Sequence, residues 1–441
     1  MPLNYWHQPI DFPSGRLEER FADQKPAYSD GDAKAEADRC LFCFDAPCVK
    51  ACPASVDVPR FVKKISTGNL LGAARAILES NLLGYSCGRV CPVDVQCVGG
   101  CVYKGGDRPP IQIGRLQRYA TERVFSSGRV VFTPKPRRAG KVVLVGAGPA
   151  SLACAGYLAL EGVEAVIFER NRWPGGLNTT GVAPYKMQAP DALREVAFIQ
   201  SLGVDIRTGV EIGGDLGPDA LLRDYDVVFL GLGLGGDARL GIPGEEGPGV
   251  VGATALIAYV KSHPGFRLPP ADRVIVIGGG NTAIDAAHEL SQLGARDVTI
   301  VYRRSEAEMP GYAHELAAAR AAGVCFNEKL IAIEVVREAE RVTGVRVAAA
   351  EQGKAVPGTE RELPADLVVV AIGQGRFRAL ASRFPGVAID ARGCIVIEPE
   401  TGRTGHPKVY AGGDCTNGGK EVVNAAADGR RAARAILARL T

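Results

Sequence analysis

From Lys141 onward the chain repeats one pattern: a short apolar run, a glycine-rich turn, a stretch of small residues, and a second apolar run. KVVLVGAGPASLACAGYLALEGVEAVIFER forms the first copy and DRVIVIGGGNTAIDAAHELSQLGARDVTIVYRR the second. Apolar runs this short, bounded by glycine, predict buried parallel strands, and the stretch after each turn predicts a helix. Each copy is thus a βαβ unit. Three further apolar runs, in DVVFLGLGLGG, ADLVVVAIGQG and KVYAGGD, end in glycines in the same way. Residues 1–130 carry little strand signal. There VPRFVKKISTGNLLGAARAILESN predicts two helical pieces broken near Gly68, with Phe61, Val62 and Ile65 on one face. IGRLQRYATERVF predicts another helix, and TPKPRR followed by Gly140 a linker. The expected class is α/β. An all-helical N-terminal domain precedes two Rossmann-like domains, the first split by insertion of the second.

Composition changes this little. The 441 residues are 46% hydrophobic and 23% charged, ordinary for a globular protein. A net charge of +3 gives no argument for nucleic acid or for a membrane surface. No apolar run reaches the roughly 18 residues that span a bilayer. The N-terminal MPLNYWHQPIDFPSGRLEER has no apolar leader segment, which predicts a cytoplasmic protein.

Cysteine usage changes the picture most. Eight of the 12 cysteines fall between residues 40 and 101. Cys40-x2-Cys43-x4-Cys48-x3-Cys52 is followed at once by Pro53, and Cys87-x3-Cys91-x5-Cys97-x3-Cys101 comes later. The first run is close to the ferredoxin run whose fourth cysteine ligates the other cluster. Eight thiolates suffice for two 4Fe–4S clusters. Disulfides would need an oxidising compartment. Zinc favours paired Cys-x2-Cys knuckles or mixtures with histidine. Only one such pair occurs, and no histidine lies in the segment. A zinc-bearing interaction module without redox chemistry is the different-class alternative.

The two glycine turns point to two dinucleotides. In the first, Gly146 permits the tight turn, and Gly148 lets a pyrophosphate approach the helix N-terminus. Ser151 takes the third glycine position. Glu169 ends the second strand, placed to accept from a ribose diol. Downstream, Gly412-Gly413-Asp414 and a helix starting near Glu421 suit a flavin, so the nucleotide is expected to be FAD. In the second copy, Gly278, Gly280 and Ala283 supply the turn, and Asn281 and Thr282 can donate to phosphate. Its second strand ends not in an acid but in Tyr302-Arg303-Arg304. Arginine accommodates a 2′-phosphate, which favours NADPH over NADH. Solvated surface arginines, with NADH bound instead, are the competing reading. Cys154 is read as core, and Cys415 as lying near the flavin. His288 and His314 are read as structural or solvated. The flavin half has no Cys-x2-Cys, so no dithiol of the thioredoxin-reductase type is expected.

This order of parts resembles the electron-input module shared by glutamate synthase small subunits, the NADPH-binding subunit of ferredoxin:NADP transhydrogenases, and dihydropyrimidine dehydrogenase. The resemblance covers nearly the whole chain. ACPASVDVPRFV, YSCGRVCPVDVQCVGGC, PPIQIGRLQRYATE and GAGPAS lean to the last of these, while YRR-x4-EMP leans to the first two. It implies a flavin and iron–sulfur oxidoreductase similar to the electron-input subunit of bacterial NAD(P)-dependent dihydropyrimidine dehydrogenase. Hydride from NADPH would pass to FAD, and single electrons through two 4Fe–4S clusters to an FMN- and iron–sulfur-containing catalytic subunit, together a heterotetramer. That subunit would reduce uracil or thymine. The chain shows no pyrimidine-site motif, and an FMN-binding barrel would need roughly 250 further residues.

The resemblance also implies a ligand set. Cys40, Cys43, Cys48 and Cys101 match one cluster. Cys52, Cys91 and Cys97 match the other, with Gln117 at the position of the fourth ligand and Cys87 as the alternative. Gly146, Ala147, Gly148, Pro149, Ala150, Glu169, Gly176, Leu177, Lys186, Gly413, Asp414, Glu421, Val422 and Val423 match FAD positions. Gly280, Asn281, Thr282, Arg303, Arg304, Ala371 and Gly373 match NADPH positions. Pro310 departs, standing where dihydropyrimidine dehydrogenase has a further arginine. The expected domains are 1–135 for the clusters, 136–245 and 369–441 for FAD, and 246–368 for NADP(H). The two crossovers between the Rossmann domains are expected to form a hinge.

Overall fold

The computed structural model describes residues 10–268 and 271–440. The first nine residues of the stretch read as lacking a leader lie outside the described residues. Helices α1 (Asp30–Asp38), α2 (Pro47–Lys50), α3 (Val58–Ser66), α4 (Leu70–Leu78), α5 (Gly84–Val90) and α6 (Ile113–Ser126) build the N-terminal region. The break near Gly68 falls between α3 and α4. Asp57 caps the first by accepting from Arg60 N, and Asn69 caps the second by accepting from Gly72 N. Phe61, Val62 and Ile65 are buried against Ala73, Ile77 and Leu116.

The first Rossmann domain opens with β1 (Lys141–Val145), α7 (Pro149–Leu160), β2 (Glu164–Glu169), α8 (Leu177–Thr180), α9 (Ala189–Ser201), β3 (Asp205–Thr208), α10 (Pro218–Asp224) and β4 (Val227–Leu230). The chain then crosses into β5 (Val250–Gly252), α11 (Ala253–Ser262), β6 (Arg273–Ile277), α12 (Asn281–Gln292), β7 (Asp297–Val301), α13 (Ala313–Ala321) and β8 (Cys325–Asn327). Strands β9 (Leu330–Glu338), β10 (Arg341–Glu351), β11 (Lys354–Ala355) and β12 (Arg361–Pro364) form a separate antiparallel sheet before β13 (Leu367–Val370). The last elements are α14 (Arg378–Ala381), β14 (Val409–Ala411), α15 (Asp414–Asn417) and α16 (Val422–Arg439).

The two parallel sheets share one winding. Their strand orders are β3-β2-β1-β4-β14 and β8-β7-β6-β13-β5. The opening strand of each βαβ unit is central, and the glycine turns gather at the carboxyl ends, where doubly wound sheets bind ligands. The C-terminal piece completes the first domain: α16 lies so close to α7 that a methyl at Gly429 would sit 2.1 Å from the Ala150 carbonyl oxygen. The boundary expected between 368 and 369 runs through β13, which pairs with β6 along its whole length, so the return begins after Val370. The two crossovers run side by side. Gly235 N donates to Gly375 O at 3.0 Å, Gly375 N to Gly236 O at 2.8 Å, and Ala238 N to Gly373 O at 2.9 Å. Among the described residues no helix is long and apolar enough to cross a membrane.

Candidate functional site

A cavity of about 580 Å³ opens at the carboxyl ends of the first sheet. Three regions of the chain line it. Gly146, Gly148, Glu169, Gly413 and Asp414 come from the first domain, Asn281, Asp285, Tyr312 and Glu315 from the inserted one, and Val90 and Pro92 from the cysteine domain.

The first turn is shaped for a close backbone approach. Gly146 has φ +89°, and a methyl there would meet Gly231 O at 2.6 Å. A methyl on Gly148, the N-cap of α7, would meet nothing within 4 Å and would project into free space. A methyl on Gly176 would lie 2.9 Å from Gly148 Cα, so the two glycines abut. Glu169 is held rather than loose. It accepts from Ala147 N at 2.7 Å, from Asn171 N at 2.8 Å and from Asn171 Nδ2 at 2.7 Å. At the other end Asp414 accepts from Lys420 N at 3.1 Å, and burial raises its carboxyl above the ordinary range. This cradle fits a flavin dinucleotide: backbone N–H groups and a helix N-terminus face the space a pyrophosphate needs, with an acid at the ribose position.

Some expected residues lie beside the cavity rather than in its wall. Ser151 is fully buried against Gly231, with its Oγ lacking a partner among the described residues. Ala147 is fully buried and touches the site through its backbone. Val422 lines the cavity, but Val423 turns into the core of the cysteine domain. Cys415 is buried in the apolar core and is not in the cavity wall.

Lys186 lines the cavity within a polar knot that the sequence reading missed. Its ammonium lies 2.7 Å from both Asp285 Oδ1 and Glu315 Oε1. Burial pulls its pKa down, but the two carboxylates outweigh burial and hold it above the ordinary value. Tyr185 donates to the same Asp285 at 2.7 Å. Asp285 sits four residues after Asn281, one turn along α12, and that spacing was a signal for it. Arg170, Phe377 and Arg383 line the cavity near Glu169 and were missed because they sit on segments far apart in sequence.

In the inserted domain, Gly280 is the N-cap of α12. Ala371 N donates to Ile277 O at 2.8 Å, and a methyl on Gly278 would sit 2.3 Å from Ala371 O. Asn281 is committed to the fold, accepting from Tyr312 N at 2.9 Å. Thr282 follows it in the first turn of α12, and Gly373 is exposed on the crossover. Arg303 and Arg304 are both exposed, and neither forms an ion pair among the described residues.

The eight thiols fall into two groups. Cys40, Cys43, Cys48 and Cys101 ring a small cavity at the surface. Burial, and then the neighbouring thiols of Cys101 and Cys40, push Cys48 up to about 11. Desolvation, and then the neighbouring Cys52 thiol, push Cys97 up to about 12. The Cys91 thiol is raised by a hydrogen bond with Cys87, then by burial, with Cys97 and Cys52 also near. Cys87 therefore lies with Cys52, Cys91 and Cys97, and it also accepts from Asn81 Nδ2 at 3.1 Å. Gln117 is buried on α6, where its Nε2 donates to Gly84 O at 2.7 Å and its Oε1 has no hydrogen bond among the described residues. Two sets of sulfur ligands suit iron–sulfur clusters. Among the described residues no three His, Cys, Asp or Glu side chains form a site for a single metal ion.

Residues 140–429 match the family described as pyridine nucleotide-disulphide oxidoreductase. The chain belongs to this family. Residues 17–129 of the oxidoreductase match a second family, described as dihydropyrimidine dehydrogenase domain II, 4Fe-4S cluster. It is 37% identical over 453 residues to the glutamate synthase [NADPH] small chain of Halomonas elongata, covering 96% of this chain and 94% of the relative. It is 34% identical over 412 residues to the NAD-dependent dihydropyrimidine dehydrogenase subunit PreT of Escherichia coli, covering 93% and 95%. Thioredoxin reductase of T. acidophilum shares the fold at a TM-score of 0.55 and 24% identity, over 68% of this chain and 98% of that one. The chain is a flavin and iron–sulfur oxidoreductase, an electron-transfer subunit of the NAD(P)-dependent kind.

Proposed function

We propose that the chain is the electron-input subunit of a larger enzyme, taking hydride from NADPH and sending single electrons to a partner catalytic subunit. The observation that carries this reading is the shared cavity. One space is walled by the first glycine turn, by the N-terminus of α12 below the second, and by the residues on either side of Cys91. Bound FAD would supply hydride acceptance and two 4Fe–4S clusters one-electron transfer. The chain's own residues position these groups. Gly146 to Ala150 and Glu169 would hold the dinucleotide. Gly280 to Thr282, with Ala371 and Gly373, would receive the second pyrophosphate, and Arg303 and Arg304 its 2′-phosphate. Cys40, Cys43, Cys48 and Cys101 would hold one cluster. Cys52, Cys91, Cys97 and Gln117 would hold the other.

The expected partner is the FMN-containing subunit that reduces uracil or thymine. A second reading, the large subunit of a glutamate synthase, is favoured by two observations. Arg303 and Arg304 suit NADPH, which the glutamate synthase relatives carry in their names, whereas the PreT relatives are named NAD-dependent. The identity to the Halomonas small chain is also higher, 37% against 34%. Mixing the purified chain with each candidate subunit and NADPH tests both. Dihydrouracil formation with the first supports the pyrimidine reading, and glutamate formation with the second supports the other. NADPH oxidation by neither pair, nor with ferricyanide, would overturn the electron-input reading.

A further inference from the structure

Helix α5 joins the cavity to the second thiol group, and one face of α9 grips it. At the C-terminal end of α5, Val90 and Pro92 line the cavity, with Cys91 between them. Helix α9 belongs to the first Rossmann domain and carries Asp191 and Glu195 one turn apart. Glu195 is 1% exposed. Its Oε1 accepts from Tyr85 N at 2.9 Å and Ser86 N at 3.2 Å, and its Oε2 accepts from the Ser86 hydroxyl. Asp191 Oδ2 pairs with Arg89 Nη1 at 3.0 Å. Arg89 is itself buried and donates from Nε to the Lys186 carbonyl at 3.2 Å. Burying a carboxylate is costly unless it is fully bonded. Neither the dinucleotide cradles nor the thiol groups make use of Glu195. Its bonds all go to the first turn of α5.

We propose that Asp191 and Glu195 are positioning residues for electron exit: they fix α5 against the first Rossmann domain and so set the distance from the cavity wall to Cys91. This role rests on the electron-input reading above. Arg89 and Ser86 lie one turn apart on α5, matching the spacing of Asp191 and Glu195 on α9, so the helix is held at two points against both sliding and rotation. Either motion would move Cys91 relative to Val90 and Pro92. A hydride carries two electrons and one proton: the electrons would leave singly through the clusters toward the partner, and the proton to solvent.

The test uses the full purified chain and its Glu195→Gln and Asp191→Asn variants. Flavin bleaching by NADPH is followed by stopped flow, and the cluster signal by freeze-quench electron paramagnetic resonance. Flavin reduction and iron content should match the wild type, while the cluster signal should appear about tenfold more slowly, within the roughly hundredfold that a misplacement of about 1 Å can cost. Ser86→Ala removes one of the three bonds from the other side and should slow the signal less. It stands in if Glu195→Gln does not accumulate. A wild-type rate of cluster reduction in Glu195→Gln, or in Ser86→Ala combined with Asp191→Asn, overturns the proposal, even if thermal stability falls. Wild-type protein whose flavin bleaches without any cluster signal would instead sink the electron-input reading.

Discussion

Tyr312 donates its hydroxyl proton to Glu421 Oε1 at 2.7 Å, a bond that ties the inserted domain to the N-cap of α16 across the mouth of the cavity. The Lys186 bridges to Asp285 and Glu315 reinforce the same closure. Together they join the inserted domain to the cavity that the first glycine turn also lines.

Tyr312→Phe removes this tie and leaves the ring in place. The bond is partly exposed, so its loss should cost about 1 kcal/mol and lower the equilibrium constant for domain closure up to about fivefold. The rate of flavin bleaching by NADPH should fall by a similar factor at unchanged flavin content. An unchanged rate would show that the tie does not govern the approach of the two domains.

Arg303 and Arg304 present two exposed guanidinium groups that form no ion pair among the described residues, although the Glu308 carboxylate feels the charge of Arg304. A charge-assisted bond to a 2′-phosphate contributes about 1.5–3 kcal/mol, so the double alanine variant should lose roughly ten- to a hundredfold in kcat/KM for NADPH. The value for NADH should change less than about twofold, since NADH has no group for them to hold. Paired steady-state kinetics check this, and a wild-type enzyme that prefers NADH would overturn the assignment.

For the second cluster, Gln117 offers an amide oxygen with no hydrogen bond among the described residues, and its Nε2 is anchored on Gly84. Cys87 already has Asn81 as a partner. Gln117→Ala should therefore change the spectrum of one cluster or lower the iron content by up to half, while Cys87→Ala should retain iron. The reverse pattern would make Cys87 the ligand.

Much of this arrangement was legible from spacing. Gly146, Gly148 and Glu169 stand where a βαβ unit must put them, because turn and strand geometry are local. The exchange of Cys101 between the two cysteine runs was implied by the resemblance and not by spacing, because it joins residues that are far apart along the chain. Local pattern did not show the knot of Tyr185, Lys186, Asp285 and Glu315, which joins residues up to 130 positions apart, nor the hold of Asp191 and Glu195 on α5. Asp191, Glu195, Asp285 and Glu315 each look like an ordinary helix-surface charge until a second domain covers them. The antiparallel sheet of β9 to β12 was also missed, since it lies outside the repeating βαβ pattern.

Glu289 on α12 is 1% exposed, and neither of its carboxylate oxygens finds a hydrogen-bond partner among the described residues. Burial pushes its pKa up to about 8, against the pull of Lys261. The folded state therefore binds this proton more tightly than the unfolded chain. Stability from the neutral form is complete below the unfolded value near 4.5 and is lost as pH rises through about 8. Glu195, pushed up to about 7 by burial, adds the same sign. Lys261 acts in another window: burial lowers its pKa to about 8, so it favours the folded state only as pH rises from there toward 10.5. Burial also lowers the pKa of His288, His314 and His406, which opposes this loss up to about 6.5. The melting temperature should therefore fall between about pH 6.5 and 8, and Glu289→Gln should flatten part of that slope. The variant should match the wild type only below about pH 4.5 and melt higher at pH 8, by about 2 °C for each kcal/mol recovered. Parallel melting curves for wild type and variant across that range would show that Glu289 stays ionised in the fold.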